Sequence, residues 1–423
     1  NGESKNIQLI DKKCIHNNSL QIINQYAIST EEGAAHDNRY DVTVLVNGLP
    51  LIHIELKRRG VPIREAFNQI DRYQRDSFWA SSGLYEFVQI FVISNGTNTK
   101  YYSNTTRFNH IKDAKAQKVK QSKTSNSFEF TSFWADANNR VLPDLVDFTK
   151  TFFCKHTILN ILTRYCVFTA ENMLLVMRPY QIVATERILN RIEIANNYKK
   201  YGTIAGGGYI WHTTGSGKTL TSFKTAQLAS KLDYIDKVLF VVDRKDLDYQ
   251  TMQEYEKFQK GAANSNTSTS VLQKQLEDST SRIIITTIQK LNCAVTKDYY
   301  NRHLQEIRNK KVVMIFDECH RSHFGDCHKN IVNFFNNLQI FGLTGTPIFV
   351  ENAKQEHTTA EVFGECLHKY LIKDAIADEN VLGFLVEYYQ GSTTTDCESE
   401  ARMREIAQFI LNNYDKSTFG GEY

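Results

Sequence analysis

Between Tyr209 and Thr219 an apolar strand runs straight into His212-Thr213-Thr214-Gly215-Ser216-Gly217-Lys218-Thr219, with helix-compatible sequence after it. A strand, a glycine-rich turn and a helix in that order wrap backbone N–H groups round a phosphate and aim a helix N-terminus at it. Such a unit belongs at the carboxyl end of a parallel sheet, so further strands and crossover helices have to follow. The sequence supplies them. Tyr209–His212, Lys237–Val242, Arg282–Thr286, Val312–Phe316 and Ile340–Leu343 are short apolar runs separated by helical stretches. The expected class is α/β.

Within the turn, Thr214, Gly215, Ser216 and Gly217 form the cradle. Lys218 is placed to contact the β- and γ-phosphates, and the Thr219 hydroxyl to ligate Mg2+. The general pattern has Gly or Ala at the first position, where this chain has His212. A second signal, Asp317-Glu318-Cys319-His320, comes straight after Val312–Phe316. Two adjacent acids alone are usually a solvated turn. At the carboxyl end of a central strand they are expected beside the phosphate loop, Asp317 holding Mg2+ through water and Glu318 orienting or deprotonating the attacking water. The expected cofactors are ATP and Mg2+.

Upstream, Tyr40–Val46 alternates as a strand, Asn47-Gly48 signals a hairpin, and Leu51–Lys57 returns. Glu55 and Lys57 are two apart and share a face. Asp41 can share a cation with Glu55 only if it lies on that face too. A simple two-residue turn pairs Asp41 with Ile54 instead, so a shared cation requires a three-residue loop or an equivalent bulge. Two carboxylates and the Leu56 carbonyl then hold Mg2+, which activates a water, while Lys57 orients that water or neutralises developing charge. Glu55-Leu56-Lys57 alone is better explained by a solvent-facing charge pair. Gln69 and Tyr73, four apart, lie on one face of a following helix.

Composition excludes rather than identifies. Lys plus Arg total 50 and Asp plus Glu 47, and this net charge of +3 neither marks nor rejects a nucleic-acid binder. No apolar run approaches the ~20 residues of a membrane span. Eight cysteines without a C-x-x-C pair fit a reducing cytosol, so a cytoplasmic location is expected. The chain opens Asn-Gly-Glu-Ser, without an initiator Met or a signal core, which hints at a missing beginning. Asn104 to Asn126 is polar and reads as loop or frayed helix. The expected division is 1–150, a helical connector at 151–177 (Phe152, Phe153, Ile158, Leu159 and Leu162 at helical spacing), a nucleotide-binding lobe at 178–382, and the start of a second lobe at 383–423. That last part has a strand at Phe384–Tyr389 and a helix near Ala401–Tyr414.

These strings resemble superfamily 2 helicases and translocases. Thr214–Thr219 resembles motif I, Asp317–His320 motif II, and Leu343-Thr344-Gly345-Thr346-Pro347 motif III. By that resemblance His320, Thr344, Gly345 and Thr346 couple the nucleotide site to DNA. Val241-Val242-Asp243-Arg244 resembles motif Ia and Thr286-Thr287-Ile288-Gln289-Lys290 motif Ib, which implies DNA-backbone contacts by Asp243, Arg244, Thr286 and Thr287. Arg178-Pro179-Tyr180-Gln181 resembles the glutamine motif, in which Gln181 reads adenine. The family's last motif, which carries an arginine finger worth about 10³–10⁵ in rate in other NTPases, is not found, so these residues alone are expected to bind ATP and turn it over poorly.

Asp41…Glu55-x-Lys57 resembles the PD-(D/E)xK nuclease motif, and Gln69…Tyr73 the Gln-x-x-x-Tyr motif of its RecB-like branch, which supports DNA binding and the active site. A RecB-like nuclease domain with a mixed sheet, followed by a RecA-like parallel-sheet motor lobe, resembles the R (motor and cleavage) subunit of type I restriction enzymes. Trp211–Thr219, Asp317–Ser322 and Gly342–Phe349 strengthen that resemblance. It implies ATP-driven translocation of duplex DNA, Mg2+-dependent non-specific cleavage, and partnership with modification (methyltransferase) and specificity subunits. Two other readings stay open: a DNA remodeller with an inactive nuclease remnant, and an ATP-switched DNA-binding module without turnover.

Overall fold

The computed structural model describes residues 9–105, 127–171, 173–242, 253–258, 264–265, 268–317, 319, 325–353, 357–381 and 400–417. The strand expected at Phe384–Tyr389 lies outside them. The chain forms two compact units, Asn1–Asn380 and Val381–Tyr423.

The first unit opens with a six-stranded mixed sheet whose strands lie in sequence order. β1 (Leu20–Ile28), β2 (Asn38–Val46) and β3 (Leu49–Leu56) make an antiparallel meander. β4 (Ile90–Ser94) joins β3 in parallel, and β5 (Thr99–Ser103) and β6 (Ser132–Phe133) continue antiparallel. The parallel step needs a crossover, and α1 (Arg64–Asp76) provides it. Ala66, Phe67, Ile70 and Tyr73 of α1 recur at helical spacing and pack on Tyr40, Phe91, Ile93 and Tyr102. On the other sheet face, helices Leu145–Phe152 and Lys155–Asn160 bury Phe148, Phe152, Ile158 and Leu159 against Val44, Ile52, Ile54, Ile90 and Val92. Each such side chain contributes ~1.5–3 kcal/mol when fully buried.

The expected helical connector is only half helical. The first of these helices starts early because the Asp144 side chain caps it, accepting from the Val146 N–H. After a π-helical turn at Ile161–Tyr165 the chain makes a hairpin of β7 (Cys166–Phe168) and β8 (Leu174–Val176). Three-residue strands are too short to show alternation in sequence.

The remainder of this unit is a seven-stranded sheet in the order β11-β12-β10-β13-β14-β9-β15, parallel throughout. These strands are β9 (Gly208–His212), β10 (Lys237–Val242), β11 (Asn264–Ser265), β12 (Ile283–Thr287), β13 (Lys311–Asp317), β14 (Asn337–Thr344) and β15 (Cys366–Tyr370). Alternate residues feed two cores, which is why the strands read as unbroken apolar runs. Phe240, Ile285, Ile315 and Phe341 face helices Pro179–Asn197 and Lys218–Ala229. Leu239, Ile284, Met314 and Phe316 face helices Thr269–Glu277, Ile288–Thr296 and Asp326–Phe334. β15 was not anticipated, because Cys-Leu-His-Lys-Tyr is an edge strand whose pattern is broken by His368 and Lys369.

In the second unit a helix, Glu400–Ser417, spans the region expected to be helical. Among the described residues no helix is long and apolar enough to cross a membrane.

Candidate active sites

At the β2–β3 hairpin a two-residue turn joins Val46 to Leu49, with Asn47 and Gly48 at φ of 50° and 85°. Carried onward, that register would pair Asp41 with Ile54. A bulge intervenes: Leu45 pairs with Pro50 but Val44 with Ile52, leaving Leu51 as the extra residue. Leu51 and Ile52, adjacent in sequence, consequently pack into the same core. Beyond the bulge Val42 faces Ile54, and one further step sets Asp41 opposite Glu55. A bulge, not a three-residue loop, thus supplies the required register. There Asp41 enters the ladder itself, its Oδ2 accepting from the Leu56 N–H at 2.9 Å.

Glu55 is fully buried. Lys57 Nζ donates to its Oε1 at 2.9 Å and also to Gln69 Oε1. Gln69 Nε2 donates to the Tyr73 hydroxyl, which donates to the Arg39 carbonyl at 3.0 Å. Burial raises the Tyr73 phenol, and Glu55 and Asp41 push it further in the same direction, against the Gln69 hydrogen bond.

Sequence reasoning missed His53. It is fully buried, with Nε2 3.6 Å from Glu55 Oε2. A residue two before an acid on a strand shares its face, so the signal was present. Among the described residues no three His, Cys, Asp or Glu gather as a metal cage. The residues fit a hard cation that keeps much of its water: Asp41 and Glu55 hold opposed strand positions, and Glu55 Oε2 is buried without a hydrogen-bond partner.

At the carboxyl ends of the parallel strands, Gly215 and Gly217 adopt φ of 79° and 73°, a region that disfavours other residues. A Cβ on Gly217 would meet Gln181 Nε2 at 2.6 Å. Lys218 opens helix Lys218–Ala229 and is 8% exposed. Asp317 ends β13, aligned with Leu343 of β14, which is aligned in turn with Ile210 of β9. So the acid is not on the strand next to the loop; β14 lies between, and its end brings Thr344 and Gly345 into the gap. Gly345 abuts the loop, its Cβ position 3.4 Å from the His212 carbonyl and Thr214 Oγ1. The buried Thr344 Oγ1 accepts from the exposed Thr346's N–H at 3.1 Å.

Two expectations change. Gln181 does not present a free amide for adenine. It is 4% exposed, its Nε2 donates to the Ser216 carbonyl at 3.0 Å, and its Oε1 accepts from the Arg178 N–H. Tyr180 reinforces this brace, donating to the same Ser216 carbonyl at 2.9 Å. Thr286 and Thr287 are fully buried rather than displayed, and Thr287 caps helix Ile288–Thr296 by accepting from the Lys290 N–H. Asp243, Arg244, Glu318 and His320 lie outside the described residues.

Behind the loop His212 Nε2 and His368 Nδ1 are 2.8 Å apart, both buried. Burial drives His212 well below the usual imidazole range and His368 down to about 4. The first loop position is thus a neutral imidazole tied to β15.

Residues 180–418 match the model of the SWI2/SNF2 ATPase family, and residues 1–110 that of the type I restriction enzyme R protein N terminus. The type I restriction enzyme SsaAORF53P endonuclease subunit of Staphylococcus saprophyticus is 42% identical over 99% of this chain and 43% of its own length. The EcoprrI endonuclease subunit of Escherichia coli is 52% identical over 45% of this chain and 55% of its own. Among solved structures, a nuclease-deletion mutant of the Type ISP restriction-modification enzyme LlaGI, in complex with a DNA substrate mimic, aligns at a TM-score of 0.36 and 19% identity. That alignment covers 58% of this chain and 23% of that one. The chain spans less than half the length of the staphylococcal relative. With its N-terminal part under one of these family models and more than half of its length under the other, the chain belongs to the R-subunit family of type I restriction enzymes and carries a SWI2/SNF2 ATPase domain.

Proposed function

We propose that this chain is the nuclease and leading motor portion of a restriction subunit that pulls duplex DNA with ATP and cuts it with Mg2+. Residues 1–150 make the PD-(D/E)xK domain, 151–177 the connector, 178–382 the first RecA-like lobe, and 383–423 the start of the second. The observation that carries the reading is the bulge at Leu51, which sets Asp41 opposite Glu55 in a chain that also holds a complete phosphate loop.

In the nuclease, Asp41, Glu55 and the Leu56 carbonyl would hold Mg2+, which when bound supplies an activated water and charge stabilisation. Lys57, tethered between Glu55 and Gln69, steadies charge on the phosphodiester. Exposed Arg39, Arg58, Arg59 and Arg72 surround these residues in sequence and suit phosphates, without reading bases. In the motor, the loop from Thr214 to Gly217 and Lys218 bind the phosphates of ATP, and Thr219 and Asp317 would hold its Mg2+. Glu318 orients the attacking water. Gln181 braces the loop. Thr344, Gly345, Thr346 and His320 relay the nucleotide state toward DNA held by Asp243 and Arg244. The partners are modification and specificity subunits, and the location is cytoplasmic.

The test uses the full-length subunit, reconstituted with those partners, on unmethylated circular DNA with Mg2+ and ATP. Wild type cuts, Glu55→Ala hydrolyses ATP without cutting, and Lys218→Ala does neither. Cutting by Glu55→Ala at the wild-type rate would place the nuclease elsewhere.

A further inference from the structure

We propose that His53 is a positioning residue for Glu55: with its proton held on Nε2, it donates to Glu55 Oε2 and fixes the carboxylate that takes the cation. This rests on the nuclease reading above.

His53 Nε2 and Glu55 Oε2 each lack a hydrogen-bond partner and lie 3.6 Å from one another. A small rotation of the Glu55 carboxylate closes that gap to hydrogen-bond length. The rest of His53 is walled in by Tyr40, Tyr73, Phe78 and Phe91, with ring centroids 5.5–6.5 Å away.

The second observation is a hydroxyl chain on the opposite ring nitrogen. His53 Nδ1 is 3.5 Å from Thr43 Oγ1, which is 3.1 Å from the Tyr85 hydroxyl. Either direction of donation is geometrically open, but the two have different consequences. If Nδ1 donates to Thr43 and Nε2 is left a bare lone pair, that lone pair faces a carboxylate oxygen, two acceptors face to face in a dry site. If Tyr85 donates to Thr43 and Thr43 to Nδ1, Nε2 carries the proton and faces an acceptor. The second arrangement satisfies every atom in the row. Glu55 then accepts from Lys57 on one oxygen and His53 on the other, and a lone pair remains on each for a cation. Outer partners of this kind orient ligating groups and typically control metal affinity by 10–100-fold.

The experiment measures Mn2+ affinity of the full-length subunit without nucleotide, by equilibrium dialysis, alongside melting temperature. Glu55→Ala removes the binding site. His53→Phe weakens Mn2+ about tenfold, His53→Gln, which keeps an N–H donor, recovers most of that loss, and Thr43→Val gives a smaller decrease. Wild-type affinity in folded His53→Phe, or equal losses in the Phe and Gln variants, overturns the positioning role while leaving the nuclease reading intact. Should His53→Phe fail to fold, unchanged affinity in Thr43→Val overturns it instead. Unaltered Mn2+ binding and cleavage in Glu55→Ala would remove the nuclease reading itself.

Discussion

Around the phosphate loop the geometry is made by backbone; around Glu55 it is made by side chains. Gly215 and Gly217 turn the motor loop through positive φ, and Gln181 and Tyr180 hold its carbonyls. From Glu55 a row of side-chain bonds runs through Lys57 and Gln69 to Tyr73, beside a hairpin whose register one extra residue shifts. A backbone-built site depends on local spacing. A side-chain-built site depends on which strand positions face each other.

The largest expected effects break the two sites separately. Glu55→Ala should abolish cleavage, and Lys218→Ala should abolish ATP turnover and cleavage together, measured on one preparation with its partner subunits. Next, Gly217→Ala places a Cβ 2.6 Å from Gln181 Nε2 at a φ of 73°. Positive φ alone costs about 1–2 kcal/mol, so ATP binding should weaken on the order of tenfold. Adding Gln181→Ala should relieve the clash but not the φ strain, giving partial rescue in a fluorescent-nucleotide titration. Full rescue would show that the side chain, not the backbone, sets the loop.

On the nuclease side Gln69→Ala cuts the row between Lys57 and Tyr73 while leaving both carboxylates. Cleavage should fall roughly tenfold with ATP turnover retained; equal losses in both would mean that α1 is merely structural.

The last effect falls on stability rather than on activity: acid sensitivity of the parallel sheet. His368 is held at about 4 against 6.5 when unfolded, and His212 is also lowered well below that range, both by burial. The unfolded chain binds these protons first, so stability is full above pH 6.5 and is lost as pH falls toward 4, on the order of 3 kcal/mol for His368. Asp378, raised by burial to about 6 from 3.8, has the opposite sign: it favours the folded state at low pH and loses that advantage as pH rises through 6. His368 and Asp378 nearly offset one another and His212 adds to the histidine side, so the melting temperature should fall between pH 6.5 and 4. A flat profile would mean that the imidazole pair titrates normally.

The contrast also explains what could be read in advance. β9, β10, β12, β13 and β14 were legible because both faces of a parallel sheet are buried and the apolar runs are unbroken. That Lys218 opens a helix and Asp317 ends a strand was legible from their distance to those strands. The brace made by Gln181 was not legible because the same amide that can pair with a base can pair with the loop's carbonyls, and sequence does not say which is nearer. Thr286 and Thr287 misled because a hydroxyl next to a helix start serves equally as a cap. The choice between loop and bulge at Leu51 was open for the same reason: Asn47-Gly48 fixes the turn, but the register beyond it depends on how Leu51 and Ile52 both reach the core.

If Asp41 and Glu55 serve one cation, an ion bound there lies beside both strands. Fe2+ substituted for Mg2+ in the full-length subunit, with ascorbate and peroxide, generates radicals that cut the protein backbone next to the bound ion. Mass spectrometry of the fragments should find cuts near both residue 41 and residue 55, each lost in either Asp41→Ala or Glu55→Ala. Cuts at one position only, indifferent to the other carboxylate, would contradict the claim.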